Sequence, residues 1–162
     1  MYEGCALEIV DKHVAEIKPY KSNPRVNQGA VDAVAKSIQQ FGFQQPIVID
    51  ESNTIIVGHT RFKAALQLGM THVPVHIASG LSKAQIKAYR IADNQTSNLS
   101  DWDFELLPLE LDALKLDGFD MSALGFGEAR LRELQGIEGG VNTTSGNAKT
   151  PVTCPECGYV FE

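Results

Sequence analysis

The chain has 162 residues, enough for one domain and a short appendage, and its 43% hydrophobic content excludes wholesale disorder. No apolar run approaches the roughly eighteen residues of a membrane span, and the start Met1-Tyr-Glu-Gly-Cys-Ala lacks a basic-then-apolar leader, so a cytoplasmic protein is expected. Net charge is −6, but residues 1–100 carry ten Lys/Arg against eight Asp/Glu while residues 101–140 carry three against ten, so only the front of the chain suits phosphates.

In chain order, Ala6–Val10 reads as a strand and Val14–Tyr20 leads into a loop. The stretch Ser22-Asn-Pro-Arg-Val-Asn27 is turn-rich, with Pro24 holding Asn23 out of helical geometry. Val31, Val34, Ala35, Ile38 and Phe41 recur at helical spacing, and Gly42 supplies a stop. The β-branched runs Pro46–Ile49 and Thr54–Val57, separated by Asp50-Glu-Ser-Asn53, predict a hairpin. Gly58 ends the second run, and His59–Leu68 reads as a helix closed by Gly69. Val73–Ile77 is a further strand, in which Pro74 favours an edge position or a strand start.

Ser82-Lys-Ala-Gln85 is a capping box opening a helix that carries Ile86, Tyr89 and Ala92 inward and ends near Asp93-Asn94. Ser100, with Asp103 three residues on, opens an acidic helix with a stripe of Leu106, Leu109, Leu111 and Leu114, closed by Gly118. That helix is either a partner surface or nucleic-acid mimic, or simply a solvated amphipathic face. A short helix over about Glu128–Leu134 follows. Residues 137–150 read as a flexible linker. The expected division is an α/β (α+β) unit over 1–99 with a small mixed sheet, an acidic helical extension over 100–136, the linker, and a C-x-x-C knuckle over 151–162. Ile38, Phe41, Ile47, Ile49, Ile55, Val57, Leu66, Val75 and Ile77 are the expected core. Trp102, Leu106, Leu109 and Phe119 are expected to fasten the extension to it.

Val57-Gly58-His59-Thr60-Arg61 is the strongest chemical feature. A strand that ends in Gly and opens a helix aims unpaired amides at one point, and Arg61 adds a bidentate cation, which together make an anion site. The plain alternative is a Gly turn with a surface Arg. His59 is either a base or phosphate partner or a helix-start His bonded locally. Asp93 and Asn94 are either oxygen ligands for Mg²⁺ or a helix stop. Cys154-Pro-Glu-Cys157-Gly158 offers two thiolates to Zn²⁺, so a closed site needs further donors from Cys5, a His or a second chain; otherwise it is a tail with free thiols. His13, His72 and His76 show no metal-ligand spacing. The three cysteines are an odd number, which argues against a secreted disulfide framework.

The succession Asn23-Pro24-Arg25, Ser37-Ile38, Gly42, Pro46–Ile49, Gly58-x-x-Arg61, Ala64-Ala65, Leu68-Gly69 and Val73-Pro-Val75 resembles the N-terminal domain of the ParB/sulfiredoxin-like superfamily. With Tyr89-Arg-Ile-Ala-Asp-Asn94 and the acidic helix from Trp102 to Gly118, it resembles most closely the ParB-like domains of phage and prophage proteins, often attached to DNA methyltransferases. The resemblance implies a pocket for a nucleotide such as CTP, ATP or ADP, with Gly58 and Arg61 cradling phosphate and Asn94 helping to hold Mg²⁺. Arg25 would lie at the pocket mouth and Gln45-Pro46-Ile47 on the base side. The cofactor-binding set is thus Arg25, Gly58, His59, Thr60, Arg61 and Asn94.

The chain departs from nucleotide-hydrolysing ParB proteins. They read Gly-Glu-Arg-Arg where it has Gly58-His-Thr-Arg61, and Glu-Asn-x-x-Arg where it has Asp93-Asn94-Gln-Thr-Ser97. His59 stands where sulfiredoxin has its reactive Cys, which excludes sulfinic acid reduction. The expected function is a nucleotide- or phosphate-binding module in DNA transactions, accessory to DNA modification or methylation, with DNA, a DNA-modifying enzyme or a second copy as partner. Neither a methyltransferase tetrapeptide nor a helix-turn-helix pattern is present. The rivals are a phosphotransferase or nucleotide hydrolase using Asp93 or His59 as base, a nuclease, and an interaction module with a vestigial pocket.

Overall fold

The computed structural model describes residues 8–25 and 28–134, together with two short strands at Val152–Thr153 and Val160–Phe161. The expectations for Cys5, the linker 137–150, Cys154 and Cys157 lie outside the described residues. The two late strands pair antiparallel, Val152 opposite Phe161 and Thr153 opposite Val160.

Four strands form one mixed sheet: β1 (Ile9–His13), β2 (Ile47–Asp50), β3 (Ile55–Val57) and β4 (His72–Ala78), in the order β1-β4-β2-β3. β1 and β3 run antiparallel to their neighbours, whereas β2 and β4 are parallel. A parallel pair needs a crossover, and β3 followed by α2 (His59–Gln67) supplies it. α1 (Val31–Phe41), α3 (Lys83–Ser97), α4 (Leu106–Leu116) and α5 (Glu128–Leu134) complete the described helices. None of these is long and apolar enough to cross a membrane.

The hairpin forms where the β-branched runs place it. Asp50 Oδ1 accepts hydrogen bonds from the Ser52 amide (2.9 Å), the Ser52 hydroxyl (2.6 Å) and the Thr54 amide (2.9 Å), and Asn53 takes a left-handed φ of 65°. Partial burial pushes the Asp50 carboxyl upward, but the bonds from Ser52 and Thr54 outweigh it and hold the pKa below its ordinary value. The chain after β1 crosses to the opposite edge of the sheet. There the Lys18 amide donates to Asn53 O (2.8 Å) and the Ile55 amide to Lys18 O (2.9 Å), which covers the edge of β3.

Ile47, Ile49, Ile55, Val73 and Val75 are fully enclosed against Ile17, Phe62 and Ala65, and Val31, Ala35 and Ala64 close the α1–α2 contact. Four of the nine expected core residues, Ile47, Ile49, Ile55 and Val75, are therefore buried; Ile38 and Val57 are half-buried. Phe41, Leu66 and Ile77 are exposed instead. α2 turns Phe62 and Ala65 inward, which leaves Leu66 outside, and Ile77 lies past the end of the β1 ladder at Ile9–His76. β4 is central rather than an edge. Pro74 sits opposite Asp11, one residue before the β2 ladder begins at Ile47–Val75, so its missing N–H interrupts nothing on that side.

The capping box at Ser82 and Gln85 is formed, and α3 runs on to Ser97. Its inward face differs from the periodicity reading: Tyr89 and Ala92 are exposed, and Arg90 is buried at 4% exposure. The stripe facing β3 is Ile86, Arg90 and Asn94, one turn apart. In the extension, Asp103 rather than Ser100 caps α4, its Oδ1 accepting from the amides of Glu105 (2.9 Å) and Leu106 (3.1 Å). Leu107 and Leu111 are the buried leucines, and α4 meets the turn Met121–Leu124, which lies on α1. Phe119 stacks on Phe41 at 5.8 Å and Ala123 is buried. Leu106 and Leu109 face outward, and Trp102 is 58% exposed beside Phe126. The extension is thus fastened by Phe119 and the turn after it, not by Trp102.

Candidate functional site

Where β3 ends, Gly58 takes φ 101° and ψ 25° and serves as the N-cap of α2. Only glycine adopts this geometry without strain. A Cβ here would stand 3.2 Å from Arg61 Nε and Nη2 and 3.4 Å from Ile47 Cα, so the missing side chain makes room for the guanidinium. The first helical hydrogen bond runs from the Phe62 amide to Gly58 O (2.9 Å). The amides of the turn before it therefore have no carbonyl partner within the helix, and the helix dipole adds partial positive charge there.

A cavity of about 650 Å³ opens at this turn. Arg25, Gly58, His59, Thr60, Arg61 and Asn94 all line it, as does Asp93, so residues far apart in sequence are brought to one site. Asn23 and Gln45 line it too; Pro46 and Ile47 do not, since Ile47 is in the core. Val34, Ile38 and Phe41 of α1, with Ile56 of β3, make an apolar wall that the motif reading did not assign to the pocket.

Arg61 donates from Nη1 to Gln45 Oε1, while its Nε is buried without a hydrogen-bond partner. Burial lowers the guanidinium pKa, opposed by the charges of Asp93 and then Tyr89. Arg25 donates from Nη1 to Asn94 Oδ1 (2.9 Å) and Asn94 O (3.3 Å), tying the Asn23-Pro24-Arg25 loop to α3. Asn94 in turn donates from Nδ2 to Arg90 O (2.6 Å). These donors do not fit Mg²⁺ as arranged: the Asn94 oxygen already accepts from a cation, and the charge of Asp93 acts on Arg61.

His59 is held rather than poised. Its Nε2 accepts from the Tyr20 amide (3.2 Å). Burial first, then the charges of Arg90 and Lys63, push its pKa down to about 4. The imidazole is neutral at pH 7 with its accepting nitrogen engaged, which removes the lone pair that a base at this position would use. Behind it lies a cluster that motif reading missed. The Arg90 guanidinium stacks 3.7 Å from the centroid of the Tyr20 ring and donates from Nε (3.3 Å) and Nη2 (3.2 Å) to Ile55 O. The available signal was spacing, since Arg90 lies four residues after Ile86 and four before Asn94. Among the described residues no three of His, Cys, Asp or Glu gather as a metal cluster.

The chain is 42% identical over 80 residues to the ParB-like nuclease domain-containing protein YnaK of Escherichia coli K12, covering 49% of this chain and 92% of that protein. It is 32% identical over 101 residues to a probable chromosome-partitioning protein ParB of Rickettsia bellii, covering 60% of this chain and 35% of that one. A nucleoid occlusion protein of Bacillus cereus is 31% identical over 93 residues, covering 54% of this chain and 32% of that one. The chain therefore spans nearly all of YnaK but only about a third of these two longer relatives. Among solved structures, the C-terminally truncated chromosome-partitioning protein ParB from Caulobacter crescentus, complexed with CTP-γ-S, superposes with a TM-score of 0.66 over 78% of this chain and 76% of that one. At 18% identity that likeness speaks to the fold. Residues 6–94, over half of the sequence, match the ParB N-terminal domain, and the chain belongs to that family.

Proposed function

We propose that the cavity at the start of α2 binds the phosphates of a nucleotide, with CTP as the first candidate, and that the domain acts as a nucleotide-binding module in DNA transactions. The observation that carries this reading is Arg61 Nε, a buried donor without a partner, beside the amides of a helix N-terminus in a cavity of nucleotide size. A buried unpaired donor costs about 1–3 kcal/mol. A phosphate oxygen would satisfy it, and the positive end of the α2 dipole would favour the anion. The apolar wall of Val34, Ile38, Phe41 and Ile56 suits a planar base. The Caulobacter crescentus relative was solved with CTP-γ-S, which makes CTP the first ligand to test.

In this reading Arg61 and the first-turn amides hold phosphate, and Gly58 leaves room for the Arg61 guanidinium. Arg25 leaves Asn94 to meet the ligand, and neutral His59 fixes the turn through Tyr20. No step is routed through a metal. With the accepting nitrogen of His59 engaged, binding without fast turnover is expected. The finer assignment, a phage-type protein accessory to a DNA methyltransferase, rests on the resemblance of Gly58–Arg61, Tyr89–Asn94 and the acidic helix. Zn²⁺ at Cys154 and Cys157 rests on their spacing alone.

Calorimetric titration with CTP, ATP, ADP and GTP, with and without Mg²⁺, tests the reading. Arg61→Ala removes a charge-assisted pair of about 1.5–3 kcal/mol and should weaken binding about ten- to a hundred-fold. A loss below about threefold with the fold intact would assign Arg61 to the surface of a simple turn.

A further inference from the structure

The outward face of α4 carries a pattern that neither the core nor the pocket uses. Leu106, Leu109, Ala113 and Leu116 recur at spacings of three, four and three, the a and d positions of a heptad repeat. All four face solvent, with Leu106 60%, Leu109 65% and Leu116 88% exposed, while Leu107 and Leu111 bury the opposite side of the helix. The same register places Glu105 and Asp112 at g and Glu110 and Asp117 at e. Every position flanking the seam is thus a carboxylate. The one lysine of the helix, Lys115, falls at c, away from the seam.

We propose that this face docks one amphipathic helix of another protein, with Leu, Ile or Val at a and d and Lys or Arg at e and g. Charge selects the occupant. In a parallel pair of two copies, g of one helix faces e of the other; in an antiparallel pair, g faces g and e faces e. Either arrangement sets carboxylate against carboxylate, so self-pairing is repelled and an acidic partner is refused. A basic helix gains an ion pair at each of the same contacts. The seam is eleven residues, about 16 Å long, so it suits a short docking helix rather than an extended coiled coil. This inference is independent of the nucleotide pocket.

Fluorescence anisotropy on the full chain tests it with three labelled synthetic peptides. These are a three-heptad helix with Leu at a and d and Lys at e and g, a scramble of the same composition, and the same helix with Glu at e and g. The lysine helix should bind saturably, the scramble at least fivefold more weakly, and the glutamate helix not at all. Leu109→Ser with Leu116→Ser, and separately Glu110→Lys with Asp117→Lys, should each weaken the lysine helix at least fivefold. The charge-reversed pair keeps the leucines and decides the matter if circular dichroism shows that the serine pair has lost helix. Equal binding of scramble and helix, or no saturable binding, would overturn the proposal. So would a dimer of the full chain by light scattering that the serine pair dissolves, which would give the face to a second copy.

Discussion

Acidification from pH 7 to pH 5 should destabilise this protein through His59, whose imidazole has a pKa of about 4 against an ordinary 6.5. The folded value is depressed, so the unfolded chain binds the proton first. Stability is complete above about pH 6.5 and is lost as pH falls toward 4. At pH 5 the unfolded imidazole is almost fully protonated and the folded one almost neutral. Linkage then gives about 2 kcal/mol as an upper bound. His59 is only half-buried, and solvent screening reduces this to about 1 kcal/mol. Urea unfolding of wild type and His59→Gln at pH 7 and pH 5 isolates the effect, because Gln keeps an acceptor for the Tyr20 amide but does not titrate. The stability difference between the two proteins should shift by about 1 kcal/mol between these pH values. A difference constant within about 0.3 kcal/mol, or an imidazole titrating by NMR near its ordinary 6.5, would refute the assignment of His59 as a half-buried neutral clamp.

Arg90→Ala removes both hydrogen bonds to Ile55 O and the stack on Tyr20, and leaves a buried carbonyl unpaired; about 2–4 kcal/mol should be lost in urea unfolding. Arg90→Lys should recover less than half of it, since an ammonium lacks the planar fork. Gly58→Ala meets both a left-handed backbone and the Arg61 guanidinium and should cost about 1–3 kcal/mol; unchanged stability would contradict the φ of 101°. Trp102→Phe should change stability by less than about 0.5 kcal/mol, and native Trp102 should emit near the solvent-exposed maximum; a strongly blue-shifted emission would mean that it packs inward.

The elements that were legible in the sequence carry their instructions locally. The hairpin follows from two β-branched runs around Asp50–Asn53, whose turn is closed by the Asp50 side chain within four residues. The start of α3 follows from Ser82 and Gln85, whose side chains each accept from the other's backbone amide. Gly58-x-x-Arg61 announces its site because a strand, a left-handed glycine and a helix start are all contiguous. Family resemblance added Arg25 and Asn94, which share the cavity with Arg61 although 69 residues separate them from each other.

Other features depend on neighbours that arrive only in three dimensions. Helical periodicity offered α3 an inward face through Tyr89, but β3 presents the Ile55 carbonyl, and a guanidinium able to bond it outweighs an aromatic ring that cannot. Periodicity put Leu106, Leu109, Leu111 and Leu114 of α4 on one stripe; the turn Met121–Leu124 on α1 decides that Leu107 and Leu111 go inside. Pro74 suggested an edge or a strand start; β1 and β2 flank β4, and the proline is tolerated there because the β2 ladder starts just beyond it. His59 looked like a candidate base until the Tyr20 amide, 39 residues away, took its lone pair. Local chemistry thus determined which elements exist and where the candidate anion site lies. Burial, strand order and the protonation state of His59 were decided by long-range contacts, because each is a competition between partners that the linear order does not bring together.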